Sequence, residues 1–154
     1  ILNAQPGDSA GIYTGQARWQ APKKSQLLLA DASALPALRH ILEHYEACSP
    51  ETLDSVDVVA MIADDAEVED GFEEAWRDKV RSLTMVLAPH GEHCTRARQL
   101  LGSRFTADTA PDSVWVSGEG DLAKAVRSLA VHYWGVPRED VIWSVYWIQG
   151  KPRP

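Results

Sequence analysis

Residues 113–150, SVWVSGEGDLAKAVRSLAVHYWGVPREDVIWSVYWIQG, decide how this chain folds. The run 113–117 is apolar, short and stopped by Gly118, which reads as a strand. Leu122, Ala125, Val126, Leu129 and Tyr133 then recur at spacings of three and four, the buried stripe of one helix over 121–133. Gly135 and Pro137 end that helix, and 141–147 is again of strand length. A strand, a glycine turn, a helix and a strand form a crossover unit, so the two strands are parallel. In open parallel sheets the turn leaving a strand is where ligands bind, which makes Gly118, Glu119 and Gly120 candidates. Tyr146 and Trp147 close the last strand and offer flat rings on which a planar ring can stack.

The rest of the chain repeats the alternation. Residues 26–30 are an apolar strand, followed by a helix that buries Leu35, Leu38, Ile41, Leu42 and Tyr45, with Ser33 as N-cap and Pro36 in its first turn. A second strand at 56–63 is apolar on both faces, as a covered parallel strand is. An acidic segment, 64–74, leads to a helical turn near Trp76. A third strand follows at 83–88, then a short helix at 95–101 stopped by Gly102. The order β-α-β-(α)-β-α-β-α-β predicts an α/β fold: a doubly wound, five-stranded parallel sheet with helices on both faces. Trp115 is expected in the core and Trp134 against the loop at Val136 and Pro137.

Size and composition limit the functions available. The 154 residues suffice for one domain with a full core, burying very roughly 70% of the unfolded surface. With 45% hydrophobic residues, 24% charged and a mean hydropathy of −0.25, the chain is of ordinary globular type. A formal net charge of −7 argues against a nucleic-acid partner, which needs a basic face. No apolar run approaches the roughly 18 residues that span a bilayer, and no signal peptide is visible, so cytoplasmic residence is expected. Two cysteines, Cys48 and Cys94, make no disulfide framework. The opening ILNAQPGDSAGIYTG, without a Met, reads as the middle of something longer, so the chain is expected to be a fragment.

The strand ends of such a sheet form one rim. Here it carries Asp31 to Ala34, Asp64 with Asp65, His90, Gly118 to Gly120, and Tyr146 with Trp147. Unpaired N–H groups at the helix starts after Ser33 and Gly120 are expected to favour a phosphate. The glycine-rich dinucleotide fingerprint is missing from the first turn, ADASALP. Asp31 either caps the helix or reaches a ribose hydroxyl. His90, His93 and Cys94 lie close together but lack a second ligand pair, and His40 with His44 sit on a solvated face, so no metal site is assigned. No nucleophile elbow appears.

Four segments taken together carry a family resemblance: LLLADASALPALRHIL (27–42), VWVSGEGDLAKAVRSLA (114–130), GVPREDV (135–141) and YWIQG (146–150). In this order they resemble the C-terminal half of the siderophore-interacting proteins, flavin-dependent ferric-siderophore reductases of the ferredoxin–NADP reductase superfamily. PGDSAGI (6–12) is similar to the end of that family's flavin-binding barrel. The resemblance implies a remnant of the barrel and linker at 1–20 and an NAD(P)H-binding domain at 21–154. It implies NAD(P)H and FAD as cofactors, a ferric siderophore as substrate, and an absent N-terminal FAD-binding barrel as partner. Asp31, Ser33, Ala34 and Leu35 would line the nucleotide site. Gly118 and Glu119 would lie near the nicotinamide, and Tyr146 and Trp147 near the flavin ring. The chain departs from the family at Ala30, which replaces a glycine, at Ala32, which replaces an acidic residue, and at Ile148, which replaces a basic one. A stand-alone binding or interaction module without redox work is the alternative. Asp64 and Asp65 lean toward NADH over NADPH, and Gly118→Val is expected to abolish turnover while leaving the fold intact.

Overall fold

The computed structural model describes residues 24–151. Five strands, β1 (Gln26–Asp31), β2 (Val56–Ile62), β3 (Ser82–Leu87), β4 (Ser113–Glu119) and β5 (Val141–Trp147), pair in the order β3-β2-β1-β4-β5, all parallel. The α/β, doubly wound reading therefore holds, and β1 and β4 flank the point where the strand order reverses. The barrel remnant expected at 1–20 lies outside the described residues.

Each central strand is buried on both faces, which is why none shows polar alternation. One face carries Leu28, Ala30, Val58, Ala60 and Trp115 under α1 (Leu35–Cys48) and the short α2 (Phe72–Trp76). The other carries Leu27, Leu29, Val59, Val114 and Val116 under α3 (His93–Arg104) and α4 (Gly120–Ser128). Trp115 is in the core as expected. The five residues assigned to the α1 stripe are all buried, and Pro36 falls in the first turn.

Three local expectations fail for identifiable reasons. Ser33 does not cap α1. Asp31 accepts the Ser33 N–H instead and opens a 3-10 turn, Ala32–Ala34, ahead of the helix. Tyr133 is not on the buried stripe but 70% exposed. After Ser128 the helix widens into one π turn, Leu129–Tyr133, with Trp134 N–H donating to Leu129 O. The added residue rotates the face, so Trp134 takes the buried position against Phe105. Gly102 does not stop α3, which runs on to Arg104. That last residue is tied to the sheet, because the Arg104 guanidinium reaches Asp57 at the start of β2.

Asp57 is a buried carboxylate at the sheet edge opposite the rim, held by Arg81, Arg104 and the Ser82 hydroxyl. Its hydrogen bond to Arg81 raises the guanidinium pKa above the ordinary arginine value, against the opposing effect of desolvation.

Candidate functional site

At the rim, one carboxylate organises three strand ends. Asp31 closes β1 and is 1% exposed. Its Oδ1 accepts from the Ser33 N–H at 3.0 Å and the Ser33 hydroxyl at 2.6 Å. Its Oδ2 accepts from the Glu119 N–H at 2.7 Å, at the end of β4, and from the Trp147 indole N–H at 2.9 Å, at the end of β5. Gly118 makes this closeness possible. Its φ of 137° is open to glycine, and a Cβ there would stand 2.5 Å from both Asp31 carboxylate oxygens. The expectation that Gly118→Val spares the fold is therefore corrected: any side chain at 118 displaces the Asp31 carboxylate.

Glu119 forms a second organising group. Its Oε2 accepts from the N–H groups of Asp121 at 2.6 Å and Leu122 at 3.0 Å, and its Oε1 from the Gln149 N–H at 3.2 Å. The helix start after Gly120 was expected to offer unpaired donors to a phosphate. Glu119's own carboxylate takes them. Gly120 itself lies under Val145 and Ile148, 3.3 Å from where its Cβ would be. The start of α1 has no side-chain cap: Ala34 is its N-cap and makes no side-chain cap bond, while Pro36 in the first turn contributes no N–H.

The structure thus joins Asp31, Ser33, Gly118, Glu119 and Trp147 into one hydrogen-bonded rim. Ala34 and Leu35 are buried, and Leu35 points its side chain into the core under α1, which leaves backbone as their only route to a ligand. Tyr146 packs against the core on the α1 side, away from Asp31's partners. It is the extra residue where the β4–β5 register shifts, Gly118 pairing with Val145 and Glu119 with Trp147. Asp64 stands apart at the end of β2, where it accepts the Ala66 N–H at 2.8 Å.

Sequence reasoning put His90 on the rim and noted His93 beside it, but missed their contacts and did not single out Ser117. The His90 ring meets the Trp147 ring edge-on, centroids 5.6 Å apart, and its Nε2 lies 3.0 Å from Glu67 Oε1. His93, 1% exposed, uses Nε2 toward the Ala88 carbonyl at 2.8 Å, and its Nδ1 has no partner. Ser117, two residues before the end of β4, buries a hydroxyl that also has none. The signal for all three was position: each lies within a few residues of the C-terminal end of a strand. Among the described residues no group of His, Cys, Asp and Glu is arranged to hold a metal ion.

Five parallel strands in this order, which reverses between β1 and β4, define a ferredoxin-reductase-like α/β domain. The sequence matches the siderophore-interacting protein family over residues 23–150, and the chain belongs to that family. Among solved structures it is similar to the siderophore-interacting protein SipS of Aeromonas hydrophila, with a TM-score of 0.66 and 18% identity over 86% of this chain and 49% of that one. It is likewise similar to the siderophore-interacting protein of Acinetobacter baumannii, TM-score 0.60 and 20% identity over 84% and 48%. The ferredoxin-NADP+ reductase of Plasmodium falciparum shares the fold at 8% identity, TM-score 0.61, over 80% and 52%. No curated protein matches the sequence. The chain spans about half the length of the solved structures it matches.

Proposed function

We propose that this chain is the NAD(P)H-binding part of a flavin-dependent ferric-siderophore reductase that works in the cytoplasm. Family membership supports the reaction class. The observation that carries the placement is the buried, partnerless Ser117 hydroxyl at the β4 end of the crevice. A buried polar group of this kind calls for a partner, and a carboxamide supplies both a donor and an acceptor. The uncapped start of α1, flanked by the small residues Ala32 and Ala34, accommodates a pyrophosphate. Gly118, Glu119 and Gly120 form the wall beside the nicotinamide, and Trp147 meets the flavin from this side, with Tyr146 next to it turned toward the α1 core. In the proposed reaction the dinucleotide would supply a hydride, and a flavin would pass its two electrons singly to two ferric ions, with its proton released to solvent. The protein's task is to hold rings and keep the crevice shaped.

NADH is the proposed donor. Asp64, Asp65 and Glu67 crowd the turn after β2 and oppose a 2′-phosphate, while Asp64 suits ribose hydroxyls. Calorimetric titration of the chain, alone and with a flavin-bearing half of a family member, tests both statements. Heat with NADH exceeding that with NADPH is expected, and no heat with either, with or without the second half, sinks the reading. A second reading, a binding module without redox work, draws support from Asp31 and Glu119, whose carboxylates are fully engaged by the protein itself. NADH binding without any flavin reduction in the joined halves would favour it.

A further inference from the structure

We propose that Asp31 is a positioning residue for Trp147, holding the indole as a preset platform across the β1–β4 crevice, and is not itself a ligand for the nucleotide. This rests on the NAD(P)H reading of the rim and deepens it. An ionised carboxylate has about four acceptor sites. Asp31 fills four, with two bonds from Ser33, one from the Glu119 N–H and one from the Trp147 indole. A ribose hydroxyl would have to displace one of them.

The choice of residue fits the role. Three of the four donors are N–H groups that cannot reverse, so the position requires acceptors on both sides. Asparagine offers an acceptor on one side only. Among the described residues no cation forms an ion pair with this buried carboxylate, a costly placement that charge-assisted hydrogen bonds offset. Trp147 is the last residue of an edge strand, where a large side chain would otherwise sample several rotamers. Asp31 fixes the indole N–H, and His90, itself held by Glu67, meets the ring edge-on at 82°. Two contacts at different points of the ring set its plane.

The test uses this chain with 15N-labelled tryptophan. Trp147→Phe identifies the Trp147 indole cross-peak by its loss, and keeps an aromatic ring that has no tether. In the parent protein that indole proton is expected to exchange slowly with solvent. Asp31→Ala is expected to shift it and to accelerate exchange at least about tenfold. Asp31→Asn, with its amide turned so that oxygen faces Trp147, restores slow exchange. An unshifted, slowly exchanging Trp147 proton in Asp31→Ala overturns the tether. So does fast exchange in the parent protein, a result that needs no variant to fold.

NADH affinity supplies the second measure. Asp31→Ala and Trp147→Phe are each expected to weaken it by about tenfold, and the double variant by no more than either, as for two residues acting through one contact. Losses that multiply in the double variant overturn the positioning role, as does full NADH affinity in Trp147→Phe. If the parent protein takes up no NADH, the functional reading fails by itself, and the indole exchange still decides whether Asp31 sets the ring.

Discussion

Gly118→Ala is the sharpest test of the rim. Alanine at φ 137° costs about 1–3 kcal/mol in backbone strain alone. Its Cβ would also sit 2.5 Å from both Asp31 carboxylate oxygens, and that group has no space to retreat into because it is buried. Displacing it breaks the bonds to the Glu119 N–H and the Trp147 indole, each worth roughly 1.5–3 kcal/mol as bonds to a charged acceptor. Relaxation returns part of this, so a net loss of about 3–5 kcal/mol is expected, a large share of the roughly 5–15 kcal/mol that stabilises a domain. Urea unfolding followed by circular dichroism measures it. With a slope of about 1–3 kcal/mol per molar urea, the midpoint falls by more than about 1 M. A loss below about 1 kcal/mol would refute the reasoning, since it would mean that the three strand ends are not locked through Asp31.

Glu119→Ala is expected to cost about 1–2 kcal/mol by uncapping α4, and Glu119→Gln less, because a neutral oxygen still accepts the same N–H groups; thermal melts rank the two. At the opposite edge, Asp57→Asn is expected to cost about 2–4 kcal/mol, more than Arg81→Met or Arg104→Met alone, because either arginine still pairs the carboxylate when the other is gone. The Arg81 pKa is raised on folding by the Asp57 carboxylate, so from neutral pH upward its contribution is fully present below the ordinary arginine value and is lost as pH climbs through the folded one. Stability of Arg81→Met and parent protein should therefore run parallel from neutral to moderately alkaline pH, and a gap that closes there would contradict the pairing. NADH affinity of the chain is expected to rise with ionic strength, since salt screens the repulsion between an anionic nucleotide and Asp64, Asp65 and Glu67; a steep fall with salt would show attraction in its place.

The strands and the α1 face were legible because their signal is local. Leu35, Leu38, Ile41, Leu42 and Tyr45 report a helical face within a few turns, and all five are buried. The order β3-β2-β1-β4-β5 was not, since it depends on which crossovers wind to which side. The rim was legible as a location and not as a network. Asp31 stands 88 residues from Glu119 and 116 from Trp147, so no periodicity connects them. Tyr133 was placed on the buried stripe because a 3.6-residue period does not contain the π turn that turns it outward. Asp57 went unnoticed for a similar reason: in sequence it is one acidic residue within an apolar strand, and its partners Arg81 and Arg104 arrive from the residue before β3 and from the end of α3.

One device recurs along the rim and explains why the start of α4 lacks the free donors expected there. At the end of β1, Asp31 accepts the Ser33 N–H, after β2 Asp64 accepts the Ala66 N–H, and at the end of β4 Glu119 accepts those of Asp121 and Leu122. Each strand hands over to the following turn through a carboxylate two or three residues upstream of the donor. Such caps make the turns rigid, because a charged acceptor replaces water on donors that a helix start leaves open. They also take the donors an anion would use and put a negative charge in the anion's place. Only α1 and α3 begin without a side-chain cap bond among the three longer helices that start at the rim. On the NAD(P)H reading proposed above, phosphates are therefore expected to avoid the start of α4, whose donors Glu119 takes, while Trp147 stands beside it held by Asp31.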